Sequence, residues 1–111
     1  GINKTYEMLS DNCAAGFWWE RSVTPAWGLL GGKHGRPPSV IVKSSEAGEI
    51  NCLKANGITL KSGDLIICQS GGGGGYGDAL QRDRNAVKDD ITDGFITVDR
   101  ALQDYGYKST L

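Results

Sequence analysis

Leu65-Ile66-Ile67-Cys68-Gln69-Ser70-Gly71-Gly72-Gly73-Gly74-Gly75-Tyr76-Gly77-Asp78 divides the chain into two regimes. Its first four residues form an apolar run rich in β-branched side chains, which reads as a buried strand. The glycines end that strand. Beyond Asp78 the period changes to that of helices. Asp83 is placed as an N-cap, Val87 and Ile91 lie four apart, and Gly94 follows as a C-terminal stop. A second helix is expected from Thr97, with Asp99 in its first turn complementing the helix dipole. Val98, Ala101, Leu102 and Tyr105 then recur at i, i+3, i+4 and i+7, and Gly106 ends the stripe. The two short helices read as a hairpin.

Upstream, Ser39-Val40-Ile41-Val42-Lys43 reads as a strand from its β-branched run. Ile50–Lys54 and Ile58–Leu60 read as short alternating strands. Asn56-Gly57 between them signals a hairpin turn, because both residues tolerate positive φ. Lys61-Ser62-Gly63-Asp64 is a further turn before Leu65. Residues 1–12 are polar and mixed. Residues 13–32 carry all three tryptophans and are punctuated by Thr24-Pro25 and Gly31-Gly32. The fold class expected is α+β: a small antiparallel β-sheet or partial barrel followed by a C-terminal helical hairpin. One domain is expected over residues 1–111, mostly β and loops over 1–70, a glycine loop over 71–78, and the helical hairpin and tail over 79–111.

Composition narrows the function classes. With 12 basic and 13 acidic residues the net charge is -1. A nucleic-acid binder carries a basic excess that releases counterions from phosphates, and neither half of this chain has one. No apolar run approaches the ~20 residues of a spanning helix. The 17 glycines are about 15% of the chain, against roughly 7% in ordinary proteins. Each costs extra backbone entropy when ordered, so their conformations are expected to be used or held by a neighbour.

Cys13, Cys52 and Cys68 are odd in number and widely spaced, which favours a reducing, cytoplasmic setting over a disulfide framework. Together with His34, the single histidine, they lack the close pairing of a structural zinc site, so no metal ligands and no catalytic residues are assigned. Cys68 is expected in the core. His34 sits in a glycine-flanked loop. The glycine run lacks the Lys-Ser/Thr of a phosphate loop; it reads either as a linker or as a packed, ligand-facing or interface loop. The candidate interface or site-adjacent residues are Gly71, Gly72, Gly73, Gly74, Gly75, Tyr76 and Asp78, with Lys33, His34 and Trp27. Tryptophans are enriched both in cores and at interfaces, and both uses stay open for Trp18, Trp19 and Trp27.

Residues 71–83, with Ala86–Ala101 and Asp104-Tyr105-Gly106, resemble the C-terminal signature of the hydantoinase B/oxoprolinase family. Upstream, Pro25-Ala26-Trp27-Gly28-Leu29-Leu30-Gly31-Gly32-Lys33-His34-Gly35 resembles that family's proline–aromatic–glycine and double-glycine segment. The similarity covers about residues 20–107. Family members run to several hundred residues, so the chain resembles their C-terminal end alone. The resemblance implies a split small subunit of an acetophenone-carboxylase-type enzyme, a heteromeric ATP-dependent ketone carboxylase that also activates bicarbonate. It further implies large hydantoinase A-like and B-like subunits as partners, with ATP and a divalent metal in the complex rather than on this chain, and no nucleic-acid or membrane partner. The alternatives are a component of an ATP-dependent hydantoinase or oxoprolinase hydrolysing a cyclic amide, and a free-standing binding module.

Overall fold

In a computed structural model, residues 1–108 are described; the end of the expected tail, 109–111, lies outside the described residues. The chain forms two compact units. Gly1–Trp27 and His34–Gly74 make the first, while Gly28–Lys33 and the chain from Gly75 onward make the second.

The first unit holds six strands: β1 (Asn3–Glu7), β2 (Cys13–Trp18), β3 (Ser39–Ser44), β4 (Gly48–Asn51), β5 (Lys54–Leu60) and β6 (Leu65–Gln69). Four form an antiparallel sheet in the order β1-β6-β3-β4, and β2 pairs with β5 as a separate antiparallel ribbon. The α+β class with antiparallel sheet holds, without a closed barrel. β3 and β6 are central because their β-branched side chains fill a pleated, buried face. Val40 pairs with Cys68 and Val42 with Ile66. These four residues and Leu60 of β5 form the buried cluster, against which Met8, Phe17, Trp19 and Ile58 pack. Burying each large aliphatic side chain contributes about 1.5–3 kcal/mol.

Two expectations for this unit need correction. Asn56-Gly57 does not close a hairpin; β5 runs straight through it. On β2, Ala15 and Phe17 are two apart, yet their partners Ile58 and Ala55 are three apart. Asn56 and Gly57 therefore both stand opposite Gly16. The extra residue is a β-bulge, and Gly57 takes φ +70° to make it. The positive φ read from the sequence is real, but it serves a bulge. The second correction is β1 and β2 themselves, which fall where no strand was expected.

The turn before β6 is as expected. The Asp64 N–H donates to the Lys61 carbonyl at 3.0 Å, and Gly63 takes φ +88°. Asp64 is only 3% exposed. Its carboxylate accepts the Lys61 N–H at 2.9 Å and the Ser45 N–H at 2.8 Å, tying β5 and the β3–β4 turn to β6. These bonds, that of Lys61 first, hold its pKa below the ordinary aspartate value. A depressed folded pKa adds stability that is complete above the unfolded value of about 4 and is lost as pH falls through the folded one. The thermal midpoint is thus expected to fall as pH drops below about 5, and Asp64→Asn is expected to flatten that slope. A constant difference between the two proteins from pH 6 to pH 2.5 would refute it.

The second unit contains a 3-10 turn at Ala79–Gln81 and the helices α1 (Arg84–Thr92) and α2 (Val98–Tyr105). The capping residues read from the sequence occupy their expected places. Asp83 accepts from the Ala86 N–H at 3.0 Å and Thr97 from the Arg100 N–H at 3.2 Å. Gly94 and Gly106 take φ +77° and +58°, past the two helix ends. Val87 of α1 and Ala101 of α2 are fully buried. The helical pair is the expected C-terminal hairpin. No described helix is long and apolar enough to cross a membrane.

Candidate functional site: a glycine-lined backbone seam

The glycine run is a packed segment. In the second unit it lies against Gly28–Lys33. The Leu29 N–H donates to the Gly75 carbonyl at 2.9 Å, the Gly75 N–H to the Lys33 carbonyl at 2.8 Å, and the Gly77 N–H to the Leu29 carbonyl at 2.9 Å. Leu29 and Tyr76 form an isolated parallel bridge. Between these contacts Leu29–Gly32 make a tight turn, closed by the Gly32 N–H on the Leu29 carbonyl at 2.9 Å. Leu30 and Gly31 hold φ +48° and +90° there, a conformation rare for a bulky residue such as leucine.

These backbones approach so closely that glycine is required. A Cβ on Gly32 would lie 2.1 Å from the Gly75 carbonyl oxygen, and one on Gly28 would lie 1.9 Å from that of Gly32. In the first unit a Cβ on Gly35 would lie 2.3 Å from the Gly72 oxygen. There the Gly72 N–H donates to the Arg36 carbonyl at 2.8 Å and the Gly35 N–H to that of Ala26 at 2.8 Å. Gly73 has open space around it, and Gly71 and Gly74 are exposed.

The other candidates are dispersed. Lys33 takes part through its backbone, with its side chain exposed, and His34 is exposed. Tyr76 is exposed beyond the bridge. Asp78 caps the 3-10 turn, accepting from the Leu80 N–H at 2.9 Å. Trp27 lies exposed with the Arg21 guanidinium 5.1 Å from its ring. The tryptophans divide between the two uses left open: Trp19 packs on the core, whereas Trp18 and Trp27 face outward.

Sequence reasoning passed over Arg21 and Arg36. With Trp19, Pro25, Pro38 and Gly71 they line a cleft of about 260 Å³ in the first unit. Arg21 holds φ +65°, and Arg36 donates to the Gln69 side chain at 3.0 Å. Glu20 lines the same cleft, so its wall carries charges of both signs. The signal was positional: neither arginine belongs to a motif.

The N–H groups of Gly72, Gly75 and Gly77 are spent on backbone carbonyls and cannot also cradle a phosphate. Among the described residues no three His, Cys, Asp or Glu side chains gather as a metal site. Burial also pushes the Cys68 thiol up, away from the thiolate a nucleophile needs.

The glycine-lined seam of this α+β chain joins backbone to backbone. The sequence model of the hydantoinase B/oxoprolinase family matches residues 1–79, and the chain belongs to that family. The match starts at residue 1, so β1 and β2 are part of it, although the motifs first suggested similarity only from about residue 20. An uncharacterised protein of Methanocaldococcus jannaschii is 31% identical over 109 residues, covering 97% of this chain and 19% of the relative. A protein of Pseudomonas sp. strain NS671, assigned as the B component of a D-/L-hydantoinase, is 36% identical over 86 residues, or 76% of this chain and 14% of the relative. The beta chain of the caprolactamase of Pseudomonas jessenii is 39% identical over 49 residues, or 44% and 8%. The chain thus spans a fifth or less of the length of these relatives. No solved structure matches it.

Proposed function

We propose that this chain is a structural component of a heteromeric enzyme that opens a cyclic amide, where it completes the fold of a large hydantoinase B-like polypeptide that works with an A-like one. The observation that carries this is family membership together with two relatives named as components of a hydantoinase and a caprolactamase. Hydantoins and caprolactam are both cyclic amides. ATP and a divalent metal belong to the same proposal, which assigns them to the partner polypeptides. This chain's part is to hold backbone geometry: the seam fixes its glycine segment, and Trp18 and Trp27 are left outward for a partner.

A ketone carboxylase of the acetophenone type is the second reading. The resemblance to enzymes that include small subunits favours it. The assembled complex separates the two. Amide hydrolysis coupled to ATP turnover with a hydantoin or a lactam, indifferent to bicarbonate, supports the first. ATP turnover that needs both bicarbonate and a ketone replaces it with the second.

A further inference from the structure

The second unit buries little. Among the described residues Val87 and Ala101 are its fully buried apolar side chains, a small core against the ordering entropy of a unit this size. Meanwhile α2 divides its apolar stripe. Ala101 is buried and Tyr105 half-buried, but Val98 and Leu102, one turn apart, are 47% and 50% exposed. Phe95, three residues before Val98, is 77% exposed. Leu80 continues the strip, because its Cδ2 lies 3.3 Å from where a Cβ on Gly106 would be, and Gly106 follows Leu102 by one turn. Val98, Leu102 and Leu80 therefore form an apolar strip left about half exposed, and Phe95 is exposed in the connection just ahead of α2.

We infer that this strip of the helical hairpin is the seat of the body of the B-type polypeptide, the four-fifths or more of the family chain that lies outside the match. This rests on the proposed role as a completing component and says which surface performs it. Three observations argue for that occupant. The strip is apolar, as the core of a permanent interface is. The unit carrying it is under-cored by itself. The relatives supply a large body of chain that must meet this segment somewhere.

The test uses the full chain co-expressed with its B-type large chain, the latter shortened to lack its own counterpart of this segment. Binding is measured by native mass and by titration. Leu102→Glu and Phe95→Ser are each expected to weaken association at least about tenfold, as loss of a buried apolar anchor does, while Val23→Glu, at a more exposed position of the first unit, leaves it unchanged. Amide exchange across α2 is expected to slow in the complex. Phe95 lies between the helices and is mostly exposed, so Phe95→Ser keeps the test valid if Leu102→Glu fails to fold. Full binding by both variants would overturn the assignment of this surface while leaving the completing role intact. No binding by the unaltered chain would remove that role as well. A dimer of the chain alone that Leu102→Glu abolishes would give the strip to a second copy, against the inference.

Discussion

Gly32→Ala is expected to cost on the order of 3 kcal/mol, toward the top of the range for forced overpacking. The added methyl would sit 2.1 Å from the Gly75 oxygen, 2.2 Å from its carbonyl carbon and 2.7 Å from the Tyr76 nitrogen. All three atoms are backbone, so no rotamer change relieves the clash. The segments must separate, and the Leu29–Gly75 and Gly75–Lys33 hydrogen bonds break with them. Gly73→Ala is the control. Nothing lies within 4 Å of its added methyl, and its effect is expected within about 0.5 kcal/mol of zero. Urea denaturation of both variants checks this. Equal stabilities would mean that the close approach of the two segments is absent in solution.

Leu60→Ala is expected to cost about 2–5 kcal/mol, the range for emptying a fully buried leucine site. Leu60 ends β5, pairs with Cys13 of β2, and belongs to the buried cluster with Val40, Val42, Ile66 and Cys68. Its removal leaves a cavity walled by β-branched side chains that have few rotamers with which to fill it. The denaturation midpoint should fall with little change in slope. Leu9→Ala, at an exposed site, should leave the midpoint in place. A Leu60→Ala midpoint equal to that of Leu9→Ala would show that this cluster is not the core.

The elements that could be read from the residues are those whose local preference and tertiary role agree. β3 and β6 are buried on alternate residues in the middle of a sheet, so their β-branched runs announce them. The helix caps are local chemistry, and Asp83, Thr97, Gly94 and Gly106 act within a few residues of themselves. β1 was hidden because every residue of Asn3–Glu7 is exposed; an edge strand paired only with β6 needs no apolar alternation. β2 does alternate, with Cys13, Ala15 and Phe17 turned inward. Two alanines and Gly16 mute that signal. The Asn56-Gly57 error has a different origin: a hairpin turn and a glycine bulge ask for the same positive φ, and only the partner strand distinguishes them. The seam was half legible. The glycine run and the double glycine stand out as motifs, but the contacts that unite them join residues far apart in sequence. No local pattern encodes which backbone a glycine must let past.

That separation carries a kinetic consequence. The second unit is discontinuous, with Gly28–Lys33 contributed before the strands β3–β6 and the rest after them. On the ribosome, the Leu29 amide waits for Gly75, roughly 45 residues later, or about 2–9 s at typical elongation rates. During that interval the tight turn and its leucines have no counterpart. The β-rich half can collapse first, while the pairing of Leu29 with Gly75 and Gly77 must close a long loop. Nascent chains stalled short of Gly75 would therefore leave the Leu29 N–H and carbonyl without the partners that Gly75 and Gly77 supply, and release past Gly77 would pair them.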